Sequence, residues 1–332
     1  MRTVQSFIYL FIFFSCSQND EIMSYSGNIM TLGVQLTAPT PDSTKYHNDL
    51  IHPCVRYIPE GFAGHKWWMV ATPYYKGNNK IENPILFCGD SREGELPPLI
   101  WTETCVVEDT PSVGYNADGN IYYDGTKLWV LWHENGTESC TANNAARCTF
   151  GVSTIDGVNF TNKRLFTTVE SATEDNEMCP TVIMFNGKLR LYACYHQFTP
   201  VRIPKGLAIW DINNNDLDNN SFKLTKIVNP IYPSGFDFWH FDLFEFKEKL
   251  YCVVSNEVAD EILLGYSDDG ENFQFYSTPL LSTSVCSASY LYKPSAMVLN
   301  DIFYLWYPVR TPNGNRLYMS EMNFNEMNFS GK

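Results

Sequence analysis

Short apolar stretches alternate with turn residues along most of the chain, and they come in pairs that each resemble a β-hairpin. The five clearest pairs are 52–58 with 65–72, 118–123 with 127–133, 177–185 with 188–195, 239–246 with 249–256, and 292–299 with 302–308. Val, Ile, Phe, Tyr and Trp fill these stretches, and Gly, Asn and Asp are frequent between them. This pattern is typical of antiparallel strands, and no long stretch of helical periodicity follows the N-terminal apolar run. We therefore predict an all-β protein.

The hairpins start roughly 45–65 residues apart, which is the length of a four-stranded propeller blade. Two units also share the motif Ser/Thr-x-Asp-Gly-x-x-Phe, at Thr154–Phe160 and Ser267–Phe273. One Asp-Gly turn would mean little, but two copies at the same place in different units indicate a true repeat. We predict a five-bladed β-propeller over residues 46–325, in which segment 28–36 could add a strand to the last blade. The alternative is a β-sandwich, whose strands would be spaced less regularly.

The N-terminus has the layout of an export signal. Met1 and Arg2 precede an apolar run, Phe7–Phe14, which is too short to span a bilayer and ends at Ser15-Cys16. This segment resembles a bacterial lipoprotein signal, and the acidic residues after Cys16 resemble the surface-export signals of Bacteroides-type lipoproteins. The resemblance implies a signal peptide at 1–15, a lipidated Cys16 and a tether with the ring-closing strand at 16–45. The expected location is the outer membrane, at the surface or in the periplasm; the alternative is an ordinary secretory signal with Cys16 incidental.

The composition of the chain narrows the classes of molecule that it is expected to bind. The chain has 332 residues, a net charge of −14, 15% aromatic residues and 18% charged residues, as expected of a well-packed globular protein. An acidic chain repels phosphate backbones, so we expect no nucleic-acid partner. Neutral ligands such as sugars remain compatible with this charge.

The sequence contains ten cysteines, and disulfides are common in exported proteins. Most of these cysteines lie within apolar strand patterns and are expected to be small buried residues. Cys140 and Cys148 instead bracket a polar loop between two strands. We predict a disulfide between them.

In a propeller the first strand of each blade lines the central channel, so its first residues surround one mouth, and the loops between second and third strands return to that face. Candidate residues from the inner strands are Asp49, His52, Asp118, Glu177, Trp239, His240, Asp242, Tyr292 and Lys293. Candidates from the loops are Tyr74, His196 and Arg202; these loops also carry Glu82 and His133, to which the pattern assigns no role. Aromatic faces together with a few charged groups suit a carbohydrate ligand.

Acids at the start of successive inner strands resemble the five-bladed glycoside hydrolases of the arabinanase/β-xylosidase type (family 43-like) and of the invertase/levansucrase type. The resemblance implies that Glu177, shortly before Pro180, is the general acid and that Asp118 tunes its pKa. Where that family has the Asp-Pro of its base, this chain has His52-Pro53, with Asp49 three residues earlier as the candidate base. The segments that begin at His52, Trp239 and Leu291 resemble the uncharacterised propellers of Bacteroides-type bacteria and phage tails more closely than they resemble these hydrolases.

Glycoside hydrolysis needs two carboxyl groups across the bond, one of them kept protonated by its surroundings. Glu177 with Asp118 fits the acid and its modulator, and Asp49 or Asp242 could be the opposing base. The structural alternatives are that Asp118 holds a turn, that Glu177 belongs to a solvated loop, and that Asp242 pairs with His240 in the interior.

His52, His240 and Asp242 also have the residue types of a metal site, since His-x-Asp places two ligands on one strand face. Buried polar pairing explains the same spacing, so we predict no metal and no cofactor. The sequence lacks a glycine-rich phosphate loop, a Cys-x-x-Cys pair and a nucleophilic-serine motif. We predict an exported, lipid-anchored glycoside hydrolase acting on a polysaccharide or oligosaccharide; the alternative is a non-catalytic glycan-binding propeller.

Overall fold

The computed structural model of the chain describes residues 24–26, 30–169, 176–197, 203–218, 222–233, 235–236, 238–286 and 288–330. Two short strands precede the repeats, β1 (Ser24–Ser26) and β2 (Val34–Gln35). Three short α-helices are described, namely α1 (Ser43–Tyr46), α2 (Glu138–Ala142) and α3 (Thr283–Cys286). Strands account for the rest of the regular structure apart from five single turns of 3₁₀ helix, at Tyr75–Gly77, Asn79–Ile81, Glu93–Glu95, Asn213–Asn215 and Phe324–Glu326.

The repeats form five antiparallel sheets, which are the blades of a propeller. Blade 1 consists of β3 (Leu50–Phe62), β4 (His65–Pro73), β5 (Ile85–Gly89) and β6 (Thr102–Val106). Blade 2 consists of β7 (Tyr115–Tyr123), β8 (Leu128–Asn135), β9 (Arg147–Thr154) and β10 (Arg164–Val169). Blade 3 consists of β11 (Asn176–Phe185), β12 (Lys188–Gln197), β13 (Ile203–Ile212) and β14 (Phe222–Val228). The predicted five-bladed propeller is confirmed.

Blade 4 consists of β15 (Phe238–Phe246), β16 (Lys249–Asn256), β17 (Glu261–Ser267) and β18 (Gln274–Phe275), and β19 (Leu281–Ser282) also pairs with β17. Blade 5 consists of β20 (Ser295–Leu299), β21 (Ile302–Thr311) and β22 (Gly314–Asn323), with β2 as its outer strand. Because β2 pairs with β22 through Val34 and Met319, the two ends of the chain meet in one blade. A last strand, β23 (Asn328–Ser330), pairs with β1.

Local turn chemistry explains the hairpins between the first and second strands. Both central residues have positive φ at Ala63-Gly64, Asn186-Gly187, Lys247-Glu248 and Asn300-Asp301. Two positive φ values in a two-residue loop define the turn whose twist matches that of paired strands. The first strands therefore run antiparallel to the second strands in a register that the turn fixes.

The shared Asp-Gly motif makes the same hydrogen bonds in both copies. Asp156 Oδ1 accepts from the backbone N–H of Val158 at 3.0 Å and of Asn159 at 2.8 Å. Asp269 Oδ1 accepts from the two equivalent N–H groups, at 2.8 Å each. The repeat predicted from these motifs is therefore also structural.

Five apolar clusters hold the ring together, and each lies between two neighbouring blades. Trp68, Val70 and Trp132, for example, pack between blades 1 and 2. Inner strands β3, β7, β11, β15 and β20 contact their neighbours around the channel. Their first residues therefore meet at one mouth.

Candidate functional site

Four inner strands, β3, β7, β11 and β15, shift register near their start, and in the first three the residue at the bulge has a left-handed backbone. These residues are His52 (φ 54°), Asp118 (φ 56°) and Cys179 (φ 56°). The strand register shifts between Ile51 and Cys54, between Ala117 and Asn120, and between Met178 and Thr181. A bulge turns its side chain away from regular alternation, and a positive φ in a non-glycine residue is a conformational cost that often marks a functional site. The bulges single out one equivalent position in blades 1, 2 and 3.

The carboxylate of Asp118 lies among three imidazole rings from three blades. Its Oδ1 is 3.3 Å from His52 Nε2 and 3.4 Å from His240 Nε2, and its Oδ2 is 3.0 Å from His133 Nδ1. All four residues are buried, with exposed fractions of 1–3%. His133 comes from β8, so the second strand of blade 2 also contributes to the channel mouth.

Burial and mutual contact set the charges of this cluster. Burial lowers the pKa of His52 to about 3, against the opposing effect of the Asp118 charge. Burial alone would raise the pKa of Asp118, but His52, His240 and His133 outweigh it and hold that pKa well below its usual range. His52 Nδ1 lies 3.1 Å from Thr72 Oγ1, which orients Nε2 toward Asp118.

The donor set of this cluster fits a divalent cation. One ligand atom each of His52, Asp118 and His240 lies within 4.8 Å of the other two. His52 Nε2 and Asp118 Oδ1 are buried and have no hydrogen-bond partner. Two imidazole nitrogens and one carboxylate oxygen are a common ligand set for catalytic metals. We call these three residues the Asp118 centre.

Glu82 is a second buried carboxyl group beside the Asp118 centre. It follows β4 in a loop, its exposed fraction is 4%, and burial together with the Asp118 charge raises its pKa well above the usual range. Burial, with a smaller contribution from Glu82, also raises the pKa values of Tyr74, Tyr115 and Tyr292. Surroundings that push the pKa values of two neighbouring carboxyls apart are typical of an acid–base pair. The sequence placed Glu82 on the rim but gave it no role.

Tyrosine rings form one wall of the mouth. The ring of Tyr292 lies 5.0 Å from that of His52 and 4.6 Å from that of His240, and it stacks on Tyr74 at 6.5 Å. Lys293 is fully buried, and its Nζ donates to the backbone oxygen of Gly119 at 2.8 Å. The structure thus brings Tyr74 and Tyr292 to the centre, while Lys293 bonds blade 5 to the bulge of blade 2.

Asp242 is not part of this centre. Its two oxygens accept from Arg56 at 2.8 and 2.9 Å, and Oδ2 also accepts from Ser295 Oγ at 2.6 Å. Although His240 and Asp242 share a strand face, Asp242 lies further along the channel, where Arg56 of blade 1 neutralises it. The predicted pairing of His240 with Asp242, as a buried pair or as metal ligands, is therefore wrong, and Asp242 has no free oxygen to act as a base.

Asp49 is also separate from the centre. It is buried at the side of an open cavity of about 810 Å³, and its Oδ1 accepts from Asn315 Nδ2 at 2.6 Å. Burial raises its pKa, against the opposing effect of Asn315. Because the side chain of Glu177 lies outside the described residues, a role for Asp49 as the base opposite Glu177 stays a prediction.

The remaining candidates lie in blades 3 and 4. Cys179, rather than Glu177, occupies the bulge position equivalent to Asp118, and its N–H lies 3.4 Å from Asp118 Oδ2. Glu177 pairs with Tyr195 in the strand ladder, but its side chain, that of His196 and the whole of Arg202 lie outside the described residues. Trp239 is half-buried, with its ring 5.0 Å from that of His240.

The predicted disulfide is wrong. Cys140 and Cys148 are free, buried thiols, and a hydrogen bond between them lowers the pKa of Cys140 to about 6. Helix α2 folds the loop so that Cys140 Sγ contacts Thr137 Oγ1 and the backbone oxygen of Glu134, each at 3.4 Å. Cys16 lies outside the described residues.

In the described ranges, no helix has the length and apolar character needed to cross a bilayer.

Comparisons with known proteins identify relatives by structure alone. No family model matches the chain, and no curated protein matches it significantly in sequence. An N-acetylgalactosamine deacetylase from F. plautii, solved with blood group B trisaccharide, aligns with a TM-score of 0.70 and 16% identity over 91% of this chain and 96% of that one.

Two glycosidase structures align in the same way. The GH43_1 enzyme from Xanthomonas citri with xylotriose has a TM-score of 0.63 and 10% identity over 88% of this chain and 90% of its own. An exo-1,5-α-L-arabinanase from a bovine ruminal metagenomic library has a TM-score of 0.57 and 14% identity over 83% of this chain and 93% of its own. The predicted resemblance is confirmed at the level of the fold: this chain has the five-bladed propeller of the family 43-like glycosidases.

Proposed function

We propose that this chain is a carbohydrate-active hydrolase whose reaction takes place at the Asp118 centre, and that it removes an acyl group from an acylated sugar with the help of a divalent cation. The observation that carries the proposal is the convergence of His52, Asp118 and His240, with the raised-pKa carboxyl of Glu82 beside them. The base position of the family 43-like pattern is occupied by His52, which suits a metal ligand better than a glycosidase base. A deacetylase is among the proteins that share the fold.

The residues of the centre would hold the cation through His52 Nε2, Asp118 Oδ1 and His240 Nε2. When bound, such a cation lowers the pKa of a water molecule and polarises a carbonyl oxygen. Thr72 orients His52, and Asp118 Oδ2 accepts from the Cys179 N–H and contacts His133 Nδ1, which leaves Oδ1 for the cation. Fixed partners of this kind hold ligands in position and tune their basicity.

Glu82 is the residue that would move the proton. A carboxyl group with a raised pKa keeps its proton near neutral pH, so it can give this proton to the leaving nitrogen or oxygen and then recover one from the water molecule that the reaction consumes. The rings of Tyr74 and Tyr292 would stack on the sugar and position the acyl group over the centre.

A second candidate is cleavage of a glycosidic bond with Glu177 as general acid. It is favoured by the position of Glu177 two residues before Cys179, whose N–H faces Asp118, and by the glycosidases that share the fold. In this case the negative charge of Asp118 would tune the pKa of Glu177.

Product analysis separates the two candidates. Purified protein supplied with Zn²⁺ or Mn²⁺ is incubated with N-acetylated oligosaccharides and with neutral xylo- and arabino-oligosaccharides, and released acetate and new reducing ends are measured. We expect acetate release that Asp118→Asn abolishes and that Asp90→Asn, an exposed carboxylate of blade 1, leaves unchanged. New reducing ends without acetate would favour the second candidate. Binding without either product would support the non-catalytic glycan-binding alternative instead.

Export and lipid anchoring at Cys16 are part of the proposal and are supported by the charge, apolar run and small residue that precede this cysteine. Cys16→Ala should move the protein from the outer-membrane fraction to a soluble fraction, while Cys105→Ala should not. Unchanged fractionation of Cys16→Ala would contradict the lipid anchor.

A further inference from the structure

The cavity beside Asp49 lies between blades 1 and 5, on the same face of the ring as the Asp118 centre. Its open volume is about 810 Å³, and its walls come from the segment before β3, the loop after β4 and the hairpin between β21 and β22. No residue of the Asp118 centre lines it. We call it the blade 1–5 cavity.

The cations around this cavity have no carboxylate partners. Lys76, Arg310 and Arg316 line it, and within the part of the chain that the structure describes none of the three forms an ion pair with an acidic side chain. Other cations of the chain, such as Arg56 and Lys163, do form ion pairs. Converging unpaired cations create a positive potential that attracts anions.

The guanidinium groups are held in place by their surroundings. Arg316 donates to the backbone oxygens of Asn48, Asn313 and Asn315 at 2.7–3.1 Å. Arg310 lies over the ring of Tyr290 at 5.3 Å. Cations fixed by packing lose less side-chain entropy when they bind an anion, which favours the interaction.

The cavity also offers contacts for the uncharged part of a sugar. His47 stacks on Tyr75 with 3.7 Å between ring centroids, which forms a flat surface. Asp49 Oδ2 lies buried at the cavity wall and has no hydrogen-bond partner. A Cβ atom at Gly314 would lie 2.4 Å from this oxygen, so only glycine lets this backbone pack so closely against Asp49.

A chain of ring contacts connects the cavity to the Asp118 centre. The ring of Tyr290, which carries Arg310, lies 5.7 Å from that of Tyr292, and Tyr292 contacts His52. Tyr290 also donates to Asn315 Oδ1 at 2.7 Å, and Asn315 holds Asp49. An oligosaccharide that binds at the centre can therefore extend into this cavity with its next units.

We propose that the blade 1–5 cavity binds an acidic sugar unit, a uronate or a sulfated sugar, of the oligosaccharide that the Asp118 centre acts on. Lys76, Arg310 and Arg316 bind the anionic group, and the His47–Tyr75 surface contacts the ring. This inference rests on the proposed function in taking the ligand to be a glycan.

Equilibrium binding of defined oligosaccharides by calorimetry tests it. The probes are trigalacturonate for carboxylates, a sulfated chondroitin tetrasaccharide for sulfate esters, and xylotriose as the neutral reference, each at low and at high salt. We expect one acidic probe to bind at least about tenfold more tightly than xylotriose, with an affinity that falls as salt rises. Which acidic probe binds distinguishes a uronate from a sulfate site.

A charge-matched pair of variants provides the control. Arg310→Gln with Lys76→Gln should weaken binding of the acidic probe by about tenfold or more, because it removes charge-assisted hydrogen bonds. Lys66→Gln with Lys247→Gln removes the same charge near hairpin turns on the opposite face of the ring and should change affinity less than about twofold.

Equal affinity for acidic and neutral probes, or equal loss in both double variants, would overturn the inference. Failure of the proposed function would appear separately, as an absence of hydrolysis by the wild type with every glycan.

Discussion

Asp118 and His52 occupy equivalent bulges in neighbouring inner strands, and Asp118 Oδ1 lies 3.3 Å from His52 Nε2 without a hydrogen bond between them. Burying two polar atoms without hydrogen-bond partners lowers the stability of the folded protein unless a third group binds both atoms. The same oxygen is 3.4 Å from His240 Nε2. A cation bound by all three residues would satisfy the Asp118 oxygen and the His52 nitrogen at once.

Metal binding is therefore the first prediction. Wild-type protein incubated with Zn²⁺ or Mn²⁺ and then desalted should retain about one ion per chain, measured by elemental analysis. His52→Ala and His240→Ala should each remove a ligand and lower the affinity by about 10–100-fold, at least as much as loss of an outer-shell partner. The bound ion should also raise the midpoint of thermal unfolding, and a chelator should reverse the increase.

The matched control for metal binding is His65→Ala. His65 pairs with Asp90 at the surface, away from the channel. Wild-type protein that retains no more metal than His52→Ala would contradict the prediction.

The second prediction concerns Glu82, whose raised pKa affects both activity and stability. As a proton carrier it should contribute about 10²–10⁴-fold to turnover, which Glu82→Gln would remove. Glu60→Gln, at an exposed position of blade 1, is the control for activity.

The same substitution, Glu82→Gln, should lower activity but increase stability at neutral pH. As the pH rises from the acid side through the ordinary range of a glutamate, near about 4.3, the unfolded chain releases the Glu82 proton while the folded chain retains it. The wild type therefore loses stability relative to Glu82→Gln until the pH reaches the raised pKa. The variant should be more stable at neutral pH by about 0.5–2 kcal/mol and equal to the wild type well below pH 4, as measured by urea unfolding. A variant that is less stable at neutral pH would indicate a structural role for this carboxylate.

The fold was predictable because its determinants are local. Residue pairs such as Asn186-Gly187 and the alternation of the flanking strands specify each hairpin without reference to the rest of the chain. The site is different, because its residues come from four blades. Asp242 was assigned to His240 by their spacing, and nothing local shows that Arg56, 186 residues away, neutralises it.

Blade 3 carries a sequence signal for the position of its bulge. Pro follows the bulge residue in both His52-Pro53 and Cys179-Pro180, so alignment on proline would have matched Cys179 to His52. Alignment on carboxylates selected Glu177 instead. Glu82 lies in a loop without periodicity, and only its burial in the folded chain reveals it.

The third prediction separates the two candidate reactions. If Glu177 is a general acid for glycosidic cleavage, Glu177→Gln should lower turnover of natural glycosides by about 10²–10⁴-fold. Aryl glycosides with good leaving groups should lose less activity, because their departure needs little protonation. If the reaction is acyl removal at the Asp118 centre, acetate release should persist in Glu177→Gln. Loss of acetate release in a folded Glu177→Gln protein would show that Glu177 takes part in acyl removal.

The last prediction concerns the ion pair between Arg56 and Asp242, which joins β3 of blade 1 to β15 of blade 4. Asp242 is fully buried and Arg56 is exposed by 20%, so removal of the guanidinium leaves an uncompensated charge inside the ring. Arg56→Met should lower the free energy of unfolding by about 3–5 kcal/mol, measured by urea denaturation. Arg56→Met combined with Asp242→Asn should recover part of this loss, because the second change removes the buried charge. The control is Lys66→Met, which breaks a pair with Glu95 whose partners are 38% and 46% exposed and should cost less than about 1 kcal/mol. Equal effects of Arg56→Met and Lys66→Met would show that the pair across the channel does not hold the ring together.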